Sequence, residues 1–89
     1  MRRIRIEEKL RKKLIKLLRK DRRRHEALMG KVEELRICED PDRYKNLRAP
    51  LQHLKEVHVN SHFVLTFRYL KREDVIELHD FNHHDDIFK

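Results

Sequence analysis

HVNSHFVLTFRYL, residues 58–70, holds two runs of β-branched and aromatic residues broken at Asn60-Ser61. Such residues fit a pleated, half-buried surface and Asn-Ser is turn chemistry, so the stretch reads as a β-hairpin. KRED (71–74) forms a second turn and VIELHDF (75–81) a third strand. Alternation along the strands then assigns faces. Val57, Val59, Phe63, Leu65, Phe67, Ile76 and Leu78 point one way, into a core. His58, His62, Thr66, Glu77 and His79 point the other way, onto an open face, and His83 and His84 follow directly off the last strand.

The core needs a cover, and the N-terminal half supplies it. Leu10, Leu14, Leu17 and Leu18 recur at helical spacing after Glu7, and Leu28, Met29, Val32 and Leu35 form a second stripe. The apolar spacing lapses at DRRRHE (21–26), where Asp21 can cap a new helix, so two antiparallel helices joined at 20–22 are expected. Gly30 weakens the second helix by about 1 kcal/mol relative to Ala, which implies close packing there. RIRI (3–6) reads either as a short strand or as the lead-in to the first helix. YKNLRAPL (44–51) is an irregular loop, since Pro50 forbids a helix through it. The expected fold is α+β: two N-terminal helices packed on a small antiparallel sheet, as one domain over 1–89.

Composition narrows the classes of function. The chain has 89 residues, 44% of them charged, and a net charge of +7. No run approaches the ~18 apolar residues of a membrane span, and MRRIRIEEK is too charged for a signal peptide. A lone Cys38 cannot form an internal disulfide, which fits a cytoplasmic location, and no acidified-thiol context surrounds it. Residues 1–24 carry 13 Lys/Arg against 3 Asp/Glu, whereas residues 25–89 carry 10 against 13. So lopsided a field points to a polyanion or an acidic protein partner. A non-enzymatic protein binding such a partner through its helical face, 7–36, is one reading.

The tail FNHHDDIF (81–88) raises another. His79, Asp80, His83, His84, Asp85 and Asp86 are ligand types, but there is no Cys among them and no HExxH, and the reading takes no metal and no cofactor. Cleavage of RNA needs none, because the 2′-hydroxyl is the nucleophile. It needs a base for that proton, an acid for the leaving 5′-oxygen and cations for the phosphorane charge. Histidine suits both proton roles, and Arg48, Lys55 and Arg68 can supply the charge.

YKNLRAPLQHLKEVHVNSHFVLTFRY followed by IELHDFNHHDDIF resembles the second half of RelE-type toxins, the ribosome-dependent mRNA interferases of toxin–antitoxin modules. The likeness lies in a Y-x-x-L-R-x-P-L loop, a V-H-V strand, an H-F-V-L strand and a final H-H-D-x-I-aromatic, over about residues 41–88. It implies an α+β domain that enters the ribosomal A site and cuts mRNA there, and a RelB-like antitoxin that wraps it as an extended, partly helical chain. By position it implies Arg48 as a loop cation, His58 as a basic strand residue and His83–His84 as the C-terminal basic or histidine position, where C-terminal groups complete the active site. His62 and His58 are the next catalytic candidates. Lys45, Arg48, Lys55 and Arg68 would bind RNA, with Phe88 stacking on a base. Many members carry Arg where this chain has His62-Phe63, and Tyr where it has Phe88. On an extended tail, His83 is expected to face away from His84.

Overall fold

A computed structural model describes residues 1–88. Strand β1 (Arg3–Ile6) leads into helices α1 (Glu8–Lys20) and α2 (Arg22–Ile37). Strands β2 (Lys55–His58), β3 (Phe63–Leu70) and β4 (Val75–His83) follow, with single 3-10 turns at Pro41–Arg43 and His84–Asp86. The sheet order is β1-β4-β3-β2. RIRI is thus a strand, and it pairs parallel with β4 while the other pairs are antiparallel, so the sheet is mixed.

Asp21 divides the helices as expected, because its Oδ1 accepts the Arg24 N–H at 3.0 Å and caps α2. Leu10 and Leu14 of α1 and Leu28, Val32 and Leu35 of α2 are buried against Val57, Leu65, Phe67, Ile76 and Leu78 of the sheet. Met29, assigned to the buried stripe, is 39% exposed. It lies about 100° around the helix from Leu28, outside the i, i+4, i+7 row that faces the sheet. Gly30 also departs from expectation: a Cβ built there would meet nothing within 4 Å, so no close packing explains it.

The face of the sheet away from the helices is not open. Val64 and Thr66 are buried there, and Leu47, Leu51 and Leu54 of the 44–54 loop line a cavity of about 330 Å³ beside Thr66. A sheet face with Val64 on it needs an apolar cover, and the loop's leucines provide one. Lys55 holds this loop in place. Its buried ammonium donates to the carbonyls of Asp42 (3.3 Å) and Tyr44 (3.0 Å) and to Asn46 Oδ1 (2.9 Å).

One irregularity sets the geometry of the site end. Between Thr66 and Phe67 the β3–β4 register shifts, with Thr66 opposite Asp80 but Phe67 opposite Leu78. His79 is therefore an extra, unpaired residue in β4, a β-bulge. Beyond it Phe81 pairs with Leu65 and His83 with Phe63, and Phe81 is buried on the helix-facing side.

Candidate functional site

Residue 63 pairs with residue 83, so the next step outward brings His62 beside His84. The His84 N–H donates to the His62 carbonyl at 2.9 Å, which ties the β2–β3 turn to the tail. Asn60 shapes that turn, its Oδ1 accepting the N–H groups of His62 (2.8 Å) and Phe63 (3.0 Å). Three imidazoles meet here. The His62 and His83 rings lie nearly parallel at 5.9 Å between centroids, and His83 and His84 approach to 4.5 Å. His83 therefore does not face away from His84. The chain turns into the 3-10 segment at residue 84, and the period-2 alternation that would have separated the rings stops there.

Asp85 completes the group. Its Oδ1 lies 2.8 Å from His84 Nδ1, and its N–H donates to His83 Nδ1 at 3.2 Å. The Asp85 carboxylate is an ion-pair contact for the His84 ring and a negative charge at the edge of the cluster. Below the rings, Phe63 packs edge-on against His83 (5.5 Å) and stacks on Phe81 (5.3 Å), with the Arg24 guanidinium 4.0 Å over the Phe63 ring. Phe81, buried in the core, anchors the tail.

A second constellation involves the loop. The Arg48 guanidinium lies 4.8 Å from the Phe88 ring centroid, and Lys45, Arg48, Glu56 and Phe88 border a cavity of about 310 Å³. Phe88 is 44% exposed.

The other expected residues fall elsewhere. His58 stays outside the histidine cluster, exposed at the end of β2 with its Nε2 3.7 Å from Glu56 Oε1. His79, displaced by the bulge, lies 3.3 Å from Glu7 Oε1. The open-face group of His58, His62 and His79 does not form. Lys55 is buried, with its ammonium turned onto the 42–46 loop. Arg68 pairs with Glu77 at 3.4 Å, five residues along β3 from Phe63, or roughly 17 Å. Asp85 and Arg24 were missed: the first reads as a charge-balancing tail residue, the second as one cation in a basic run.

Charge reinforces the tail's position. Lys13 of α1 donates to Asp80 Oδ1 (2.8 Å), the Phe81 carbonyl (3.2 Å) and Asn82 Oδ1 (3.0 Å), clamping the helix to the strand just before the histidines. Burial opposes ionisation of Asp80, but the Lys13 ammonium, the Phe81 N–H and Asn82 outweigh it and hold the carboxyl below its usual range. No helix among the described residues is long and apolar enough to cross a membrane.

No family model matches the sequence. The Methanocaldococcus jannaschii protein named "Putative toxin RelE4" is 41% identical over 86 residues, covering 97% of this chain and 89% of its own length. The chain belongs to the RelE toxin family. Its fold agrees with solved RelE-like structures. A metal-bound toxin from Helicobacter pylori superposes with a TM-score of 0.74 at 25% identity, over 99% of this chain and 100% of that one. The RelBE2 toxin–antitoxin complex of Mycobacterium tuberculosis gives 0.63 at 19% identity, over 92% and 96%. In this RelE chain the histidine cluster stands at the C-terminal end of β4, and the loop pair Arg48–Phe88 stands across the 3-10 turn from it.

Proposed function

We propose that this RelE-family toxin is a ribosome-dependent endoribonuclease that cuts mRNA by attack of the RNA's own 2′-hydroxyl. The observation carrying this reading is the convergence of His62, His83 and His84 with Asp85 holding His84 Nδ1 at 2.8 Å. His84 Nε2 takes the 2′-hydroxyl proton as general base. His83 or His62, protonated, delivers one to the leaving 5′-oxygen. Each role contributes about 10²–10⁴-fold. Arg48 and Lys45 meet the phosphate charge, and Phe88 offers a ring for a base to stack on. The ribosome would supply the mRNA in an extended form.

The partner that silences it is a cognate antitoxin, as in the RelBE2 complex. A groove of about 280 Å³ is lined by Leu17, Phe63 and Phe81 and by four cations, Lys13, Lys16, Lys20 and Arg24, against one carboxylate, Asp21. An acidic, amphipathic antitoxin segment is complementary to it, and Phe63 joins this groove directly to His83. Docking there would cover the catalytic histidines from one side.

Cell-free translation with primer extension tests the enzyme. Antitoxin-free protein should produce discrete 3′ ends within translated message and none in naked RNA. Translation that runs to full length in its presence would remove the ribonuclease reading and leave a basic binding protein.

A further inference from the structure

We propose that His62, His83 and His84 also form a binding site for one imidazole-seeking divalent transition ion, Cu²⁺ or Zn²⁺, and that occupancy switches the cleavage site off. One ring nitrogen from each residue lies within 4.8 Å of those of the other two. Ligation at about 2.0–2.1 Å to a single tetrahedral ion brings such nitrogens to about 3.3 Å, a closure that modest side-chain rotations achieve. His62 and His84 are exposed and His83 is half-buried, so the rings have room to rotate. The backbones that carry them are already fixed. The His84 N–H to His62 carbonyl bond holds the two segments together, and Asn60 fixes the turn.

The donor set selects the ion. Three neutral nitrogens without thiolate suit copper and zinc, whereas magnesium and calcium require oxygen ligands. Asp85 stands where the outer support of a metal-bound histidine stands, its Oδ1 2.8 Å from His84 Nδ1. Phe63 walls the site beneath His83, and three protein ligands leave a fourth position for water or a phosphate oxygen.

A nitrogen bound to the ion cannot accept or deliver a proton. The metal is therefore an inhibitor of this site and not its cofactor; this half of the proposal rests on the acid–base reading above.

Isothermal titration of antitoxin-free protein with CuCl₂, ZnCl₂ and MgCl₂ in a non-coordinating buffer tests the site without any ribosome. One Cu²⁺ or Zn²⁺ should bind per chain and Mg²⁺ should give no heat. The copper complex should show three nitrogen ligands by electron paramagnetic resonance. Asp85→Asn should raise Kd about 10–100-fold, and His62→Gln or His84→Gln should raise it further, with circular dichroism unchanged. Equal affinity in wild type and both histidine variants would refute the site. Cleavage that continues at stoichiometric Zn²⁺ would refute the switch. If the metal-free protein never cleaves, the ribonuclease reading fails, and the titration still decides the metal site.

Discussion

His84 Nδ1 lies 2.8 Å from Asp85 Oδ1, an ion-pair contact between sequence neighbours at the edge of the histidine cluster. His84→Gln preserves size and hydrogen bonding but cannot carry a proton, and it should lower single-turnover cleavage by about 10²-fold or more. Asp85→Asn should lower it less, because the backbone that carries the ring stays held by the His84 N–H bond to the His62 carbonyl. Because the rings of His83 and His84 are together, His83→Gln should also cost activity. Cleavage unchanged in both histidine variants would move the chemistry away from the tail.

Arg48→Ala removes a cation from RNA and a partner from Phe88. Complex formation should weaken, and its dependence on log salt should flatten by about 0.7–1, one phosphate contact. An unchanged slope would show that Arg48 serves only to hold Phe88.

Lys55→Ala discriminates a structural lysine from an RNA-binding one. It would leave three part-buried acceptors, at Asp42, Tyr44 and Asn46, without their donor. Stability should fall by about 1.5–3 kcal/mol, the worth of charge-assisted bonds in a buried setting. Urea unfolding measures it, and a variant as stable as wild type would return Lys55 to the surface cations.

Gly30→Ala should do the reverse. The site is helical, and the added methyl meets open space. Removing glycine's backbone entropy should raise stability by about 0.5–1 kcal/mol. Destabilisation in the same unfolding assay would mean that a contact is made there.

Asp80 gives the fold an acid limb. Its folded carboxyl titrates below its unfolded value, so between the two the unfolded chain binds more protons and stability rises with pH. The contribution is present above the unfolded pKa, near 3.9, and is lost as pH falls through the folded value. Unfolding of Asp80→Asn against pH should show a flatter slope in that acid window. An identical slope would assign the acid limb to other carboxylates.

Much of this layout was legible because its signals are local. Asp21 caps where the apolar spacing lapses, and Leu65, Phe67, Ile76 and Leu78 alternate as buried strand residues must. RIRI could not be settled locally, since its partner is seventy residues away and the pairing is parallel. His83, His84 and Arg48 were legible by residue type and by the family's motif order. His62 belongs with the tail for a reason that alternation alone does not carry: the hairpin register, once fixed at Phe63 and His83, places it there. Lys55 looked like a surface cation because its three acceptors lie in a loop without any periodic signature.

The extra residue at His79 makes β4 two strands in different phase. Up to Leu78 the phase is dictated by the parallel match with β1, and from Asp80 onward by Phe81 and His83. Strict alternation from Ile76 and Leu78 would carry Asp80 and Asn82 to the helices and turn Phe81 and His83 to the opposite layer. A strand that kept His79 but paired it regularly would thus invert the anchor and a site histidine together, although every residue of the site would still be encoded, whereas loss of the codon for residue 79 would remove the offset with the extra residue and leave both on their present faces. The scaffold half and the reactive half of the strand are free to diverge in sequence as long as that single offset between them is kept.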